Sequence, residues 1–175
     1  MTFKRKLIST AAMLALSAGA AHAQISGNVV KIGVLNDQSG TYADLAGPGS
    51  TLAAKMAVED FMAKDKSLKI EVVFADHQNK PDVGSQIARK WFDSDGVDVI
   101  VDLPTSSVAL AVNQVAKEKN KVAIISTGAS SDLTGKACTP NTVHWTYDTW
   151  QLANGTGSAI VKTGGDTWFF LTADY

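Results

Sequence analysis

Residues 97–119, VDVIVDLPTSSVALAVNQVAKEK, constrain the fold most, because a strand, a polar loop and a helix follow one another there without interruption. The apolar run 97–103 is short and rich in β-branched residues, which is typical of a buried parallel strand. Pro104 ends that strand. Apolar residues then recur at helical spacing from Val108 to Ala116, so one face of the next helix is apolar. The stretch predicts one β-loop-α unit of an α/β protein.

The loop of this unit carries three hydroxyl residues, Thr105, Ser106 and Ser107. Two explanations are open. Hydroxyl side chains are favoured at a helix N-cap, where they accept a hydrogen bond from a free backbone N–H group. The same hydroxyl groups, together with the free N–H groups and the positive dipole end of the helix, also suit a carboxylate or another anion. On this stretch alone capping is the commoner role, so a binding role needs support from the rest of the chain.

Three other apolar runs, 29–36, 69–75 and 121–126, have the same character, and each is followed by a polar loop. Strands that alternate with helices predict a parallel sheet, and right-handed crossovers place helices on both of its faces. The predicted fold class is therefore α/β, a doubly wound parallel sheet. Ligands of such folds bind beyond the carboxyl ends of the strands, where all four polar loops lie. This shared location is the main argument from the residues for a binding site.

Two connecting helices are predicted together with their buried faces. One begins at Gly47 and Pro48 and runs to about residue 64, because proline is favoured in the first turn of a helix. Its inner side is predicted to consist of Leu52, Ala53, Met56, Ala57 and Phe61. The other helix begins at Pro81, and its buried stripe is predicted to be Val83, Ile87 and Trp91.

The pattern changes after the fourth loop. Residues 138–147, CTPNTVHWTY, have no clear period and predict a connector, whereas 149–163 predict a helix weakened by two glycines. Residues 167–172, TWFFLT, predict one more strand. The chain ends at Tyr175, where a further polar loop would begin, so we expect it to be part of a longer protein.

Residues 1–23 have the pattern of a secretory signal peptide. Three basic residues at 4–6 precede an apolar run, and Ala21-His22-Ala23 forms a small-x-small cleavage site. The apolar run is shorter than the roughly 20 residues that a membrane-spanning helix needs, so export is favoured over a membrane anchor. We expect cleavage after Ala23. Cys138 is the single cysteine, so the chain cannot form an internal disulfide.

Composition and motifs argue against several function classes. The formal net charge is −1, and loss of the basic leader makes the mature chain more acidic, which argues against a nucleic-acid partner. The sequence has no phosphate-binding or dinucleotide-binding glycine loop and no Gly-x-Ser-x-Gly elbow. His77 has no evident partner and is predicted to be a loop residue, and the aspartates after the strands are predicted to be turn or cap residues. No catalytic residue, metal or cofactor is therefore predicted.

Three motifs, in this order, resemble a known family. They are KIGVLNDQSGTYADLAGPGS at 31–50, DHQNKPDVGSQIARKWFD at 76–93 and TSSVALAVNQVAKEKNKVAIISTGASSDL at 105–133. The chain resembles the periplasmic substrate-binding proteins of ATP-binding-cassette (ABC) transporters, most of all the leucine/isoleucine/valine-binding branch with the type I periplasmic binding fold. The resemblance implies two α/β lobes that close over a solute. Residues 24–147 would form the first lobe, with a hinge connector near 140–148, and 148–175 would begin the second.

The resemblance also implies which residues hold the ligand, since the family grips it with the loops after the third and fourth strands. The implied ligand-binding residues are Tyr42, Thr105, Ser106, Ser107, Gly128, Ser130 and Tyr175. The implied function is periplasmic capture of a small carboxylate, a branched-chain amino acid or an aromatic acid, and its delivery to an ABC permease in the inner membrane. The full-length protein is expected to be a monomer. The alternatives are a ligand-binding sensor domain of the same fold and an exported α/β enzyme, for which no nucleophile–base pair is visible.

Overall fold

A single sheet of five parallel strands organises the computed structural model, which describes residues 28–172. The strands are β1 (Val29–Asn36), β2 (Lys69–Asp76), β3 (Val99–Asp102), β4 (Val122–Ile125) and β5 (Thr142–His144), in the spatial order β2-β1-β3-β4-β5. Every neighbouring pair is parallel. The predicted fold class, an α/β doubly wound parallel sheet, is confirmed. The predicted signal peptide and Tyr175 lie outside the described residues.

The helices connect these strands. They are α1 (Gly47–Lys64), α2 (Pro81–Lys90), α3 (Ser106–Lys119) and α4 (Thr149–Lys162). From β1 the chain moves one way across the sheet to β2, and afterwards it moves the other way to β3, β4 and β5. Right-handed crossovers therefore place α1 on one face and α2 and α3, which contact each other, on the opposite face. Among the described residues, no helix combines the length and the apolar character needed to cross a bilayer.

The main core lies between the sheet and the pair α2 and α3. Its largest contributors are Leu35, Trp91, Phe92, Ile100, Leu103, Val108, Val112 and Ile125. Gly33 in β1 leaves room for the indole of Trp91, because a Cβ added at that glycine would lie 2.5 Å from the ring. Trp91 is buried as predicted, whereas the other two members of its predicted stripe, Val83 and Ile87, are only half-buried.

The predicted inner face of α1 is wrong. Leu52, Met56 and Phe61 are 59%, 55% and 42% exposed, and Ala53 and Ala57 are exposed too. The helix buries Gly47 and Thr51 instead. Apolar residues occur on both sides of this helix, so their spacing alone does not decide which side faces the sheet. The buried Gly47 lies close to the end of β1: its carbonyl oxygen accepts a hydrogen bond from Asn36 Nδ2 at 2.8 Å, and an added Cβ would lie 3.1 Å from the Asp37 carbonyl oxygen.

Two predictions about the last third of the chain also fail. The connector 138–147 contains the short strand β5, which pairs with β4 through Ala123 and Thr142 and their successors. Residues 167–172, predicted as a strand, take no regular structure. Phe169 is 91% exposed and Leu171 is 94% exposed. A strand requires a neighbouring strand for its backbone hydrogen bonds, and this apolar run pairs with none of the described strands.

Candidate ligand-binding site

A cavity of about 500 Å³ opens at the carboxyl edge of the sheet. It lies above the point where the chain leaves β1 and β3 in opposite directions, which is the usual ligand position in doubly wound folds. Four of the residues predicted to bind ligand line it: Tyr42, Thr105, Ser106 and Ser107. The structure therefore brings the loops after β1 and β3 together as the sequence predicts.

An unusual turn at the end of β3 leads the hydroxyl residues to the cavity. Asp102 and Leu103 have φ angles of 84° and 59°, a backbone region that residues with a side chain rarely adopt. The Leu103 N–H donates to the Leu35 carbonyl oxygen at 3.1 Å, and the Ser126 N–H donates to the Asp102 carbonyl oxygen at 3.1 Å. Such conformations cost about 1–3 kcal/mol each, so both neighbouring strands are needed to maintain the turn.

The side chain of Asp102 is the centre of a buried hydrogen-bond network beneath the cavity, and only 4% of the residue is exposed. Its Oδ1 accepts a hydrogen bond from Thr127 Oγ1 at 2.8 Å, and its Oδ2 accepts one from Asn36 Nδ2 at 2.9 Å. The same Asn36 amide donates to the Gly47 carbonyl oxygen at 2.8 Å. The network thus joins the ends of β1, β3 and β4 to the start of α1.

None of the hydroxyl residues at the start of α3 caps the helix through its side chain in the described part of the chain. Thr105 is the N-cap residue, yet its side chain makes no capping hydrogen bond. Its Oγ1 donates to Asn79 Oδ1 at 2.6 Å instead. The hydroxyl groups of Ser106 and Ser107 make no hydrogen bond within residues 28–172, although both residues line the cavity. Because the first N–H groups of a helix lack intrahelical acceptors, the start of α3 offers several donors to a ligand.

The buried carboxylate of Asp37 holds the loop after β1 that carries Tyr42. Asp37 has no exposed surface, and its two oxygens accept hydrogen bonds from the N–H groups of Gly40 and Tyr42, each at 2.9 Å. A Cβ at Gly40 would lie 2.7 Å from the Asp37 carboxylate, so glycine is required in this turn. Tyr147, from the connector before α4, was not predicted and also lines the cavity. Two aromatic rings therefore border the site.

Gly128, predicted to bind ligand, does not line the cavity, whereas its neighbours Thr127 and Ala129 do. A Cβ at Gly128 would lie 2.7 Å from the Leu103 carbonyl oxygen. The Gly128 carbonyl oxygen lies 2.7 Å from Nε2 of His144, and this ring nitrogen is the donor because a carbonyl oxygen only accepts. Gly128 thus supports the turn at the end of β3 and connects it to β5.

Ser130, the other predicted residue of this loop, is 3% exposed and is also absent from the cavity wall. Its Oγ accepts a hydrogen bond from the Asp132 N–H and caps the short 3-10 helix Ser131–Leu133. Burial alternates along residues 127–130, so adjacent residues of the loop face different sides. No signal in the sequence separates Thr127 from Ser126, the hydroxyl residue that directly follows β4 and does not line the cavity.

His77 is completely buried beneath the same edge of the sheet. Its Nδ1 accepts a hydrogen bond from the Asn79 N–H at 3.0 Å, so the ring proton is on Nε2, which has no partner among the described residues. Burial lowers the pKa of His77 below its ordinary value, although nearby carboxylates, Asp37 first among them, favour its charged form. A neutral imidazole whose acceptor nitrogen is occupied cannot serve as a general base.

Asp76 holds the neighbouring loops in place. Burial opposes its ionisation, but hydrogen bonds from Ser39 Oγ at 2.6 Å and from the N–H groups of Gln78 and Gln38 together outweigh this effect. The pKa of the Asp76 carboxyl is therefore lowered. This carboxylate fixes the loop after β1 to the loop after β2.

Comparison with known proteins agrees with this geometry. A family model described as periplasmic binding protein matches residues 29–175. The chain belongs to the periplasmic binding protein family. None of the curated proteins compared with it matches.

Solved periplasmic binding proteins share this fold. One from Burkholderia mallei is 55% identical, with a TM-score of 0.80 over 85% of this chain and 40% of that one. A branched chain amino acid ABC transporter periplasmic ligand-binding protein from Burkholderia xenovorans is 39% identical, with a TM-score of 0.71 over 77% of this chain and 36% of that one. An ABC transporter solute binding protein from R. palustris, in complex with benzoate, is 27% identical, with a TM-score of 0.69 over 78% and 38%. The chain thus spans well under half the length of these periplasmic binding proteins.

Proposed function

We propose that this chain is the ligand-gripping part of an exported solute-binding protein that captures a small carboxylate in the periplasm and delivers it to an ABC permease. The observation that carries the proposal is a pair of hydroxyl groups, those of Ser106 and Ser107, that make no hydrogen bond to any described residue. They lie at the start of α3 on the wall of a cavity of about 500 Å³. Membership of the periplasmic binding protein family supports the same conclusion.

The carboxylate would be held by neutral donors. No lysine or arginine lines the cavity in the described part of the chain, so the attraction comes from serine hydroxyl groups, backbone N–H groups and the positive end of the α3 dipole. Such a site binds an anion without changing it. His77 is buried and its acceptor nitrogen is occupied, so it offers no base to activate Ser106 or Ser107.

The rest of the cavity suits an apolar or aromatic body. Tyr42, Tyr147, Leu45 and Leu152 contribute rings and alkyl groups to its wall. One relative is described as a branched chain amino acid ABC transporter periplasmic ligand-binding protein and another was solved with benzoate. Both ligand classes combine a carboxylate with an apolar body, so we propose a ligand of this general kind.

Closure by a second lobe would complete the site. We propose that residues 24–147 belong to the first lobe, that the hinge lies near 140–148, and that 148–175 begin the second lobe. The exposure of α4, which buries none of its residues, supports this division, and Trp150 on that helix is 67% exposed. Export would follow cleavage after Ala23, which N-terminal sequencing of the protein recovered from the periplasm tests directly.

Isothermal titration calorimetry of the full-length protein tests the binding function. Leucine, isoleucine, benzoate and 4-hydroxybenzoate are the probes, and at least one should bind. Replacing Ser106 and Ser107 by alanine should weaken that binding by about tenfold or more for each hydrogen bond lost to a charged group. Ser67→Ala is the matched control, because Ser67 is exposed and precedes β2 at the opposite edge of the sheet. Absence of heat with every probe would contradict the proposal.

A further inference from the structure

We propose that the buried ring of His77 makes ligand binding dependent on pH: its neutral form holds two residues of the cavity wall in place, and its protonation releases them. The two residues are Asn79 and Thr105, which line the cavity, whereas His77 does not. His77 is thus a positioning residue. This inference rests on the proposed function and adds to it a control of the affinity.

Two hydrogen bonds connect the ring to the cavity wall. The Asn79 N–H donates to His77 Nδ1 at 3.0 Å, and Thr105 Oγ1 donates to Asn79 Oδ1 at 2.6 Å. Thr105 is the N-cap residue of α3. The ring therefore holds the loop after β2, and this loop in turn holds the residue at which the hydroxyl loop enters α3.

The loop after β2 depends on such support to keep its shape. Gln78 and Asn79 have φ angles of 53° and 56°, a backbone region that residues with a side chain rarely adopt. Each of them is held through its N–H group. The Gln78 N–H donates to Asp76 Oδ1 at 2.7 Å, and the Asn79 N–H donates to His77. Loss of either hydrogen bond would favour a different arrangement of the loop.

Protonation reverses the role of Nδ1 in this arrangement. The neutral ring carries its proton on Nε2 and accepts at Nδ1, whereas in the charged ring both nitrogens are donors and neither accepts. The Nδ1 proton would then face the Asn79 N–H. His77 has no exposed surface, and its Nε2 has no partner among the described residues, so the charged ring gains no hydrogen bond by staying where it is. The charged ring and the observed loop are incompatible.

Burial and three carboxylates act on the ring in opposite directions. Burial has the larger effect and lowers the pKa of His77 below its ordinary value. The carboxylates favour the charged ring; they are Asp37 after β1, Asp76 on the same strand and Asp102 at the end of β3. Each of them already accepts hydrogen bonds from other groups. The ring therefore stays neutral at neutral pH and becomes charged only on the acid side.

The contact from α2 to the ring is uncharged. It is made by Gly84, where an added Cβ would lie 3.6 Å from His77 Cβ, while Asp82 in the first turn of α2 is exposed. The first turn of α3 contains no acidic residue. Lys80 lies in the same loop as the ring, but its Nζ donates to Gln78 Oε1 at 3.2 Å. The balance is therefore between burial and the three carboxylates.

The direction of the effect follows from linkage. A ligand that needs the observed loop binds the protein with the neutral ring, so binding lowers the pKa of His77 further, and protonation of the ring weakens binding by the same factor. The Kd should be constant above about pH 6.5, the ordinary pKa of histidine. It should rise below the pKa of His77 in the free protein, by at most about tenfold for each pH unit, because one proton is coupled to binding.

Calorimetry of the full-length protein between about pH 8 and about pH 5 tests this, with whichever of leucine, isoleucine, benzoate and 4-hydroxybenzoate binds most tightly. In His77→Asn the asparagine oxygen replaces Nδ1 as the acceptor and does not titrate. This variant should bind as the wild type does at the upper pH and lose the rise in Kd. His77→Phe has a ring without an acceptor and should bind weakly at every pH. Ionisation of the ligand is the same for all three proteins and cancels from the comparison.

Nuclear magnetic resonance of the wild-type protein with ¹³C-labelled histidine is the second measurement. The pKa of His77 should be lower with the probe bound than without it, because the coupling between proton and ligand is reciprocal. A merely structural role of the ring would leave this pKa unchanged on binding. The measurement needs no substitution, so it decides the matter even where neither variant folds.

The outcomes are distinct. If no probe binds at any pH, the proposed function fails and this inference fails with it. If a probe binds but the Kd does not rise towards acid pH, the inference fails and the proposed function stands. The inference is also overturned by a rise that persists in His77→Asn, since the proton would then belong to another group, such as His144, the other histidine of the described residues.

Discussion

Replacing Gly128 by alanine would place a methyl carbon 2.7 Å from the Leu103 carbonyl oxygen, 3.2 Å from Ile125 Cγ2 and 3.3 Å from Ala109 Cβ. The closest of these atoms belongs to backbone that is already held at positive φ, so it cannot move without disturbing the turn that leads to Thr105. Added methyl groups in a well-packed site cost about 1–3 kcal/mol. We expect Gly128→Ala to lower the free energy of unfolding by that amount and to weaken ligand binding, because the hydroxyl loop would shift.

Urea denaturation of the full-length protein, followed by circular dichroism, measures the effect, and calorimetry with the best probe ligand measures binding. Gly49→Ala is the matched control: this glycine lies in the first turn of α1, and an added Cβ would meet no described atom within 4 Å. That variant should be more stable by up to about 1 kcal/mol, since alanine has a higher helix propensity than glycine. If Gly128→Ala kept both the wild-type stability and the wild-type affinity, the close contact between Gly128 and the turn at Leu103 would not be a constraint, and the reasoning would be refuted.

Two further predictions concern buried polar groups away from the cavity wall. Asn113→Ala should cost about 1–3 kcal/mol in urea denaturation, because it leaves the Ala137 carbonyl oxygen and the Thr139 hydroxyl without their buried partner; an unchanged free energy of unfolding would contradict this. Folding lowers the pKa of His77, so the unfolded chain takes up a proton at higher pH than the folded chain does. The free energy of unfolding therefore has its full contribution from the neutral ring above about pH 6.5 and loses this contribution as the pH falls further. His77→Phe should remove this part of the pH dependence, and parallel stability curves for wild type and variant would count against it.

Strands β1 to β4 could be predicted because each is a β-branched run bounded by polar residues, as expected for strands covered by helices. The strand β5 could not, because Thr142–His144 is too short to show a period. Residues 167–172, TWFFLT, were predicted as a strand and take no regular structure. Their composition is that of a strand, but a strand also needs a neighbouring strand for its backbone hydrogen bonds. The buried side of α1 could not be predicted either, because apolar residues occur on both sides of this helix.

The sequence was enough to predict which loops meet at the cavity, but it did not predict which side chains of those loops line it. Thr105, Ser106 and Ser107, predicted to bind ligand, line the cavity, because parallel strands deliver their following loops to one edge; their binding role stays a prediction. In the loop after β4, the prediction named Gly128 and Ser130, whereas Thr127 and Ala129 line the cavity. Which of these residues faces inward is decided by contacts with the turn at Leu103 and with His144, both distant in sequence. Local pattern does not contain that information.

A crystal structure of the full-length protein with its tightest-binding carboxylate tests the central claim most directly. The account predicts that the ligand carboxylate accepts hydrogen bonds from Ser106, Ser107 and the first N–H groups of α3. A carboxylate bound away from the start of α3, or held at the carboxyl edge by other residues while Ser106 and Ser107 remain unbonded, would contradict it.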